Sequence, residues 1–202
     1  MENRENKVQF NLKNVAYAVL TQTNGVATWE APVMVPGAVT LTMDAEGDVT
    51  PFYADGIAYY QAIANGGYSG SLEMARYPDQ MLQDIWGFML DATDNVITEN
   101  ANAEPKPFAL LYQIDGDADN QLYCLYNCSG TRPGIGGTTN TNTKEPKTQT
   151  SNISASALEN GNVLVRTTAN TPDNVRKAWY TKVYEKQAAA SGEQGAGNEQ
   201  GN

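Results

Sequence analysis

The chain has 202 residues, a formal net charge of −10 and no histidine, so Ser/His/Asp, Cys/His and His-ligated zinc chemistry all lack their key member. A carboxylate pair could still do acid/base work, so the missing histidine lowers the expectation of catalysis without abolishing it. The sequence is therefore read as non-enzymatic, with no cofactor and no metal. The length suits one good-sized domain or two small ones.

Charge is segmental. Residues 44–119 hold fourteen acids against Arg76 and Lys106, a balance of −12, whereas 120–202 hold eight bases and six acids, and 1–43 cancel at three each. That asymmetry suits a subunit whose acidic surface meets a different surface of its neighbour, or simply keeps a β-rich chain soluble. No apolar run approaches the roughly 20 residues of a membrane span, and the start MENRENKVQFNL lacks an apolar export segment. The expectation is synthesis in the cytoplasm, with no membrane partner.

Val8, Phe10 and Leu12 alternate with polar residues, then Val15, Tyr17 and Val19 do so on the opposite parity. This predicts one long strand with a bulge near Lys13-Asn14. After the turn-like Thr23-Asn24-Gly25, the odd positions Val33, Val35, Val39, Leu41 and Met43 predict a second strand, bent at Pro36-Gly37. Residues 44–68 lose the pattern and read as a long irregular excursion rich in acids, glycines and aromatics. Phe52, Tyr53, Tyr59 and Tyr60 need a covering surface, which is either the chain's own core or a neighbour.

Leu72 and Met74 continue a strand to Tyr77-Pro78, and Met81, Leu82, Ile85, Trp86, Met89 and Leu90 recur at helical spacing. A hairpin follows, Phe108–Ile114 against Leu122–Cys128 across the acidic turn at 115–120. Cys124 and Cys128 share that second strand, where four residues span roughly 13 Å, about twice what a disulfide tolerates, so both are expected as free, buried thiols.

Residues 129–147 read as a polar loop. Ile153 and Ala155, the Asn160-Gly161 turn, and Val163 and Val165 predict another hairpin. Thr171-Pro172-Asp173 starts a short helix leading to Trp179 and Tyr184. Residues 187–202 are low-complexity and are expected to be a disordered tail after a single domain at 1–186.

Three motifs reduce to simpler readings. Asp115, Asp117 and Asp119 imitate a calcium loop, but Asn120 and Tyr126 stand where glycine and a bidentate glutamate are needed. Gly134-Ile135-Gly136-Gly137 lacks dinucleotide-fingerprint spacing. Arg132, Lys144 and Lys147 are scattered, without the interleaved aromatics of a nucleic-acid groove.

The strings KVQFNLKNVAYAVLT (7–21), VPGAVTLTMDAEGDVTPFYADG (35–56), GGYSGSLEMARYPD (66–79), NAEPKPFALLYQIDGD (102–117) and LYNCSGTRPG (125–134), with EPKTQT (145–150), occur in one order. Together they resemble the major tail protein family of long-tailed, non-contractile bacteriophages, over about residues 7–184. The resemblance implies a mainly β (α+β) tail-tube fold, a β-sandwich or barrel with one flanking amphipathic helix, an extended loop and terminal arms. It implies a virion structural protein made in the bacterial cytoplasm, assembling with itself as stacked hexameric rings through which DNA passes without specific binding. Partners implied are the tape measure, tail terminator and distal tail proteins.

The self-assembly surface expected from these readings comprises Phe52, Tyr53, Tyr59 and Tyr60 of the long loop together with Arg132 and Trp179. Some acids of 44–119 are expected to face the bore, and the loop and both termini to order only on assembly. The added immunoglobulin-like domain of some members is not expected here. The alternative reading is a β-sandwich module binding carbohydrate or another ligand through Tyr53, Tyr59 and Tyr60.

Overall fold

A computed structural model describes residues 5–139 and 146–186; the expected tail at 187–202 lies outside them. The fold is mainly β. Its central antiparallel sheet runs in the order β2 (Val26–Trp29), β1 (Gln9–Thr23), β10 (Phe108–Gly116), β11 (Gln121–Gly130), β12 (Gln149–Ala155), β7 (Gly67–Met74), β4 (Ala38–Glu46). β3 (Val33–Met34) adds to β1, and β13 (Leu164–Arg166) to β11.

β1 is the long strand the alternation predicts, and it contains two bulges. Its register against β10 slips between Phe10 and Leu12 and again between Lys13 and Ala16. Asn11 (φ 67°) and Asn14 (φ 50°) occupy left-handed backbone at these slips, a conformation asparagine tolerates better than most residues. Beyond the second slip the strand is buried on both faces. Val15, Tyr17 and Val19 join one core, and Ala16, Ala18 and Leu20 join another.

The first core gathers β1, β7, β10 and β12 around α1 (Asp79–Trp86), whose Met81, Ile85 and Trp86 are buried. Trp86 donates its indole N–H to the Gly130 carbonyl at 2.9 Å and meets Tyr77 edge-on. The helix ends where Gly87 turns left-handed at φ 69°. Met89 and Leu90, expected on the same stripe, instead form exposed β8 (Met89–Leu90), paired with β9 (Ile97–Thr98). The opposite face of β1, β10 and β11 is covered by the C-terminal segment. There α2 (Asp173–Ala178) delivers Trp179, which stacks on Tyr184 at 5.8 Å.

The predicted second strand is divided at Pro36-Gly37. β3 lies beside β1, and β4 crosses to the far end of the sheet order, beside β7.

The expected hairpin around Asn160-Gly161 does not form. β12 and β13 run in the same direction along one edge of β11, the first against Cys128–Gly130 and the second against Tyr123–Leu125. Residues 156–163 are thus an insertion within a single interrupted strand position, with the turn closed by Gly161 N–H to the Leu158 carbonyl.

Candidate functional site: a projecting hairpin and a base-free sheet face

Residues 44–68 are not irregular. They carry the β4–β7 ribbon onward as a second, regular hairpin, β5 (Val49–Ala54) against β6 (Ile57–Ile63). The turn is Asp55-Gly56, with φ of 52° and 79°, the two-residue left-handed type that matches strand twist. The earlier expectation failed because aromatics and alanines on both faces erase the in/out alternation that marks a half-buried strand. The Asp-Gly pair was the legible signal.

Along the ribbon Phe52 lies opposite Tyr60, while Tyr53, one residue on, points to the other face. Phe52 is 62% exposed and Tyr59 72%, and Val49, Ile57 and Ile63 are exposed as well. The segment 49–63 has Asp55 as its only charged residue. A ribbon with apolar residues on both faces and open backbone edges lacks the charge or cover that normally blunts such edges.

Where the same ribbon lies within the sheet, its outward face is of a different kind. Inward-facing Leu41, Met43, Leu72, Met74, Ile153 and Ala155 alternate with outward hydroxyls, amides and carboxylates. The register aligns them in cross-strand rows. Thr40, Glu73 and Thr150 form one row, and Thr42, Ser71 and Asn152 the next. Asp44, Ser69, Ser154 and Ser129 form the third.

Ser129 and Ser154 share a hydrogen bond at 3.0 Å, Ser69 donates to Glu46, and Thr148 donates to Glu73. β4, β7, β11 and β12 contain no lysine or arginine at all. Within these four strands the face therefore offers a polar, weakly acidic surface with no cation to hold a phosphate.

The chain matches no family model and no curated protein.

The other expected contact residues lie apart from the hairpin. Arg132 is exposed and ion-paired with Glu99. Trp179 is 2% exposed, in the second core, with its indole N–H directed at the Tyr123 carbonyl. It is a core residue, correcting its assignment to the assembly surface, and its burial follows from the apolar platform that Ala109, Leu111 and Cys124 present.

The three aspartates of the acidic turn serve three different partners. Asp115 pairs with Lys13 at 2.7 Å, Asp117 accepts the Lys7 backbone N–H at 2.8 Å, and Asp119 pairs with Arg176. Hydrogen bonds from Lys13 and Gln113 hold the Asp115 carboxyl below the usual carboxylate range, and the Lys7 backbone does the same for Asp117. Asn6 bridges the same turn through the Ala118 and Asp119 N–H groups. The first described residues are thus tied to the subunit, where a free arm was expected. Among the described residues no group of three or more metal-ligating side chains converges, and no helix is long and apolar enough to cross a membrane.

Proposed function

We propose that this protein is a non-enzymatic structural subunit that assembles with its own copies into stacked hexameric rings, forming a bacteriophage tail tube that conducts DNA. The observation that carries the reading is the two-part character of the β4–β7 ribbon. It is polar and free of bases where it belongs to the sheet, and apolar on both sides where it projects. A conduit needs both properties. The projecting part binds neighbours, and the sheet part, facing the bore, lets DNA slide, since each phosphate neutralised by a cation would add affinity and slow passage.

Rings close through heterologous contacts, and stacking them gives an open filament from one kind of subunit. Six subunits of formal charge −10 give about −60 per ring, an effect that salt confines to roughly 8 Å from the wall. Asp44, Glu46 and Glu73 are the acids on the bore-facing surface in this reading. The order of quoted segments, which resembles that of the major tail protein family, is the ground on which the hexameric stacking, the virion location and the tail-protein partners are proposed.

Negative-stain electron microscopy of the purified protein tests the proposal. Rings or tubes of uniform diameter support it; persistent monomers that bind glycans support the carbohydrate-module alternative. Against that alternative, Tyr60 lies opposite Phe52 and so on the other face of the ribbon from Tyr53, whereas a sugar platform needs its rings on one face.

A further inference from the structure

The central sheet does not close. β4, last in the sheet order, runs beside the first half of β1 without ladder hydrogen bonds. The reason lies in β1, where the bulges at Asn11 and Asn14 increase local twist and turn the backbone out of register for a partner on that side. The result is an open seam lined by Phe10, Leu12, Leu41, Met43, Tyr112 and Ile114, with a volume of about 370 Å³, within the roughly 300–1,000 Å³ of side-chain- or ligand-sized clefts. Phe10 is 54% exposed at its mouth. β4 contains neither lysine nor proline to blunt its open edge, and its only charges, Asp44 and Glu46, lie at its C-terminal end.

We infer that this seam is the seat for the β5–β6 hairpin of a second copy. The inference rests on the self-assembly reading and specifies its contact. Seam and hairpin both present apolar side chains and open backbone edges, so each can cover the other. The exposed β8–β9 patch at Met89 and Leu90 offers apolar side chains on strands of only two residues, too short to extend a ladder.

The four hairpin rings expose on the order of 500 Å², much of the roughly 800 Å² per partner of a stable interface.

The test uses full-length single variants, Phe10→Cys and Ala62→Cys, mixed, assembled and oxidised; Ala62 is exposed two residues beyond Tyr60 on the same face of β6, so all four rings are kept. The native thiols are buried and do not compete. Gln9→Cys, on the exposed rim of the same seam, is run in parallel in case Phe10→Cys disturbs folding or seating. The expected result is a disulfide-linked heterodimer at least fivefold more abundant than from Ala62→Cys mixed with Thr181→Cys, which lies in the segment covering the opposite side of the sheet. Equal yields, or none from either seam variant, overturn the inference.

Microscopy of the same samples separates the two claims. Tubes without seam cross-links leave the tube proposal standing and remove the seam. Seam cross-links without rings or tubes do the reverse.

Discussion

Cys124 and Cys128 are four residues apart on β11 and lie on opposite faces of the sheet. A register slip between Phe108 and Leu110, where β11 has one residue more than β10, turns Cys128 into the first core while Cys124 stays in the second. Separation along the strand already forbids a disulfide, and the slip adds a barrier of packed backbone. Burial pushes both thiols up, Cys128 to about 12. The native protein is therefore expected to give no reaction with a thiol reagent at pH 8 and two reactive thiols after denaturation. Rapid native labelling would contradict the packing.

The alkaline limb of stability follows from the same groups. Burial also raises the phenols of Tyr17, Tyr77, Tyr112, Tyr126 and Tyr180. The unfolded chain releases thiol protons near ~8.5 and phenol protons near ~10, while the folded chain holds them. Unfolding therefore releases protons, and stability is full below about pH 8.5 and falls as pH rises beyond it. Urea midpoints at pH 7, 9 and 10 should decrease in that order; a flat profile would refute it.

Two tyrosines with buried hydroxyls, Tyr77 and the half-buried Tyr180, should respond oppositely to loss of the hydroxyl. Tyr77 donates to the Leu72 carbonyl at 2.8 Å, so Tyr77→Phe should cost about 0.5–1.5 kcal/mol. The Tyr180 hydroxyl is buried and has no partner among the described residues, so Tyr180→Phe should be neutral or stabilising. Denaturation of both variants side by side decides the matter.

Much of this architecture is visible in the chain before folding. The opposed parities of Val8–Leu12 and Val15–Val19 reveal a bulge, and the 108–128 hairpin and the Met81–Trp86 stripe are plain alternation and helical spacing. What escapes is decided by tertiary context. The helix stops because of one left-handed glycine, Gly87, although the apolar spacing runs on to Leu90. Asn160-Gly161 is a real turn, but whether flanking strands pair with each other or with β11 depends on which edge is open. The apolar hairpin hides because a strand bare on both faces has no period to read. The base-free face was legible in the Thr, Ser and Asn residues alternating along 40–44, 69–73 and 150–154, and emerges only once the register sets the rows side by side.

Gly70 sits between β4 and β12, where an added Cβ would collide with the Thr42 carbonyl. Gly70→Ala should destabilise by about 1–3 kcal/mol. Gly134→Ala, with nothing within 4 Å, should change stability by less than about 0.5 kcal/mol. Equal melting temperatures for the two would show that the β4–β7–β12 sheet is looser than described.

Lysines on the polar face should convert a slippery surface into a retaining one. A Thr42→Lys/Ser71→Lys/Asn152→Lys variant places three cations along one cross-strand row and should still assemble. Its assemblies should retain short duplex DNA at low salt and release it as salt rises, whereas wild-type assemblies retain none. DNA retention by the wild type would remove the face from the bore.

The central claim is that the β5–β6 hairpin drives assembly without contributing to the subunit's own fold. The most direct measurement compares wild type with Phe52→Ser/Tyr60→Ser by negative-stain microscopy and circular dichroism at the same concentration. Rings or tubes for the wild type, with monomers of unchanged spectrum and melting temperature for the variant, are the expected result. Tubes from the variant, or a variant that no longer folds, would contradict it.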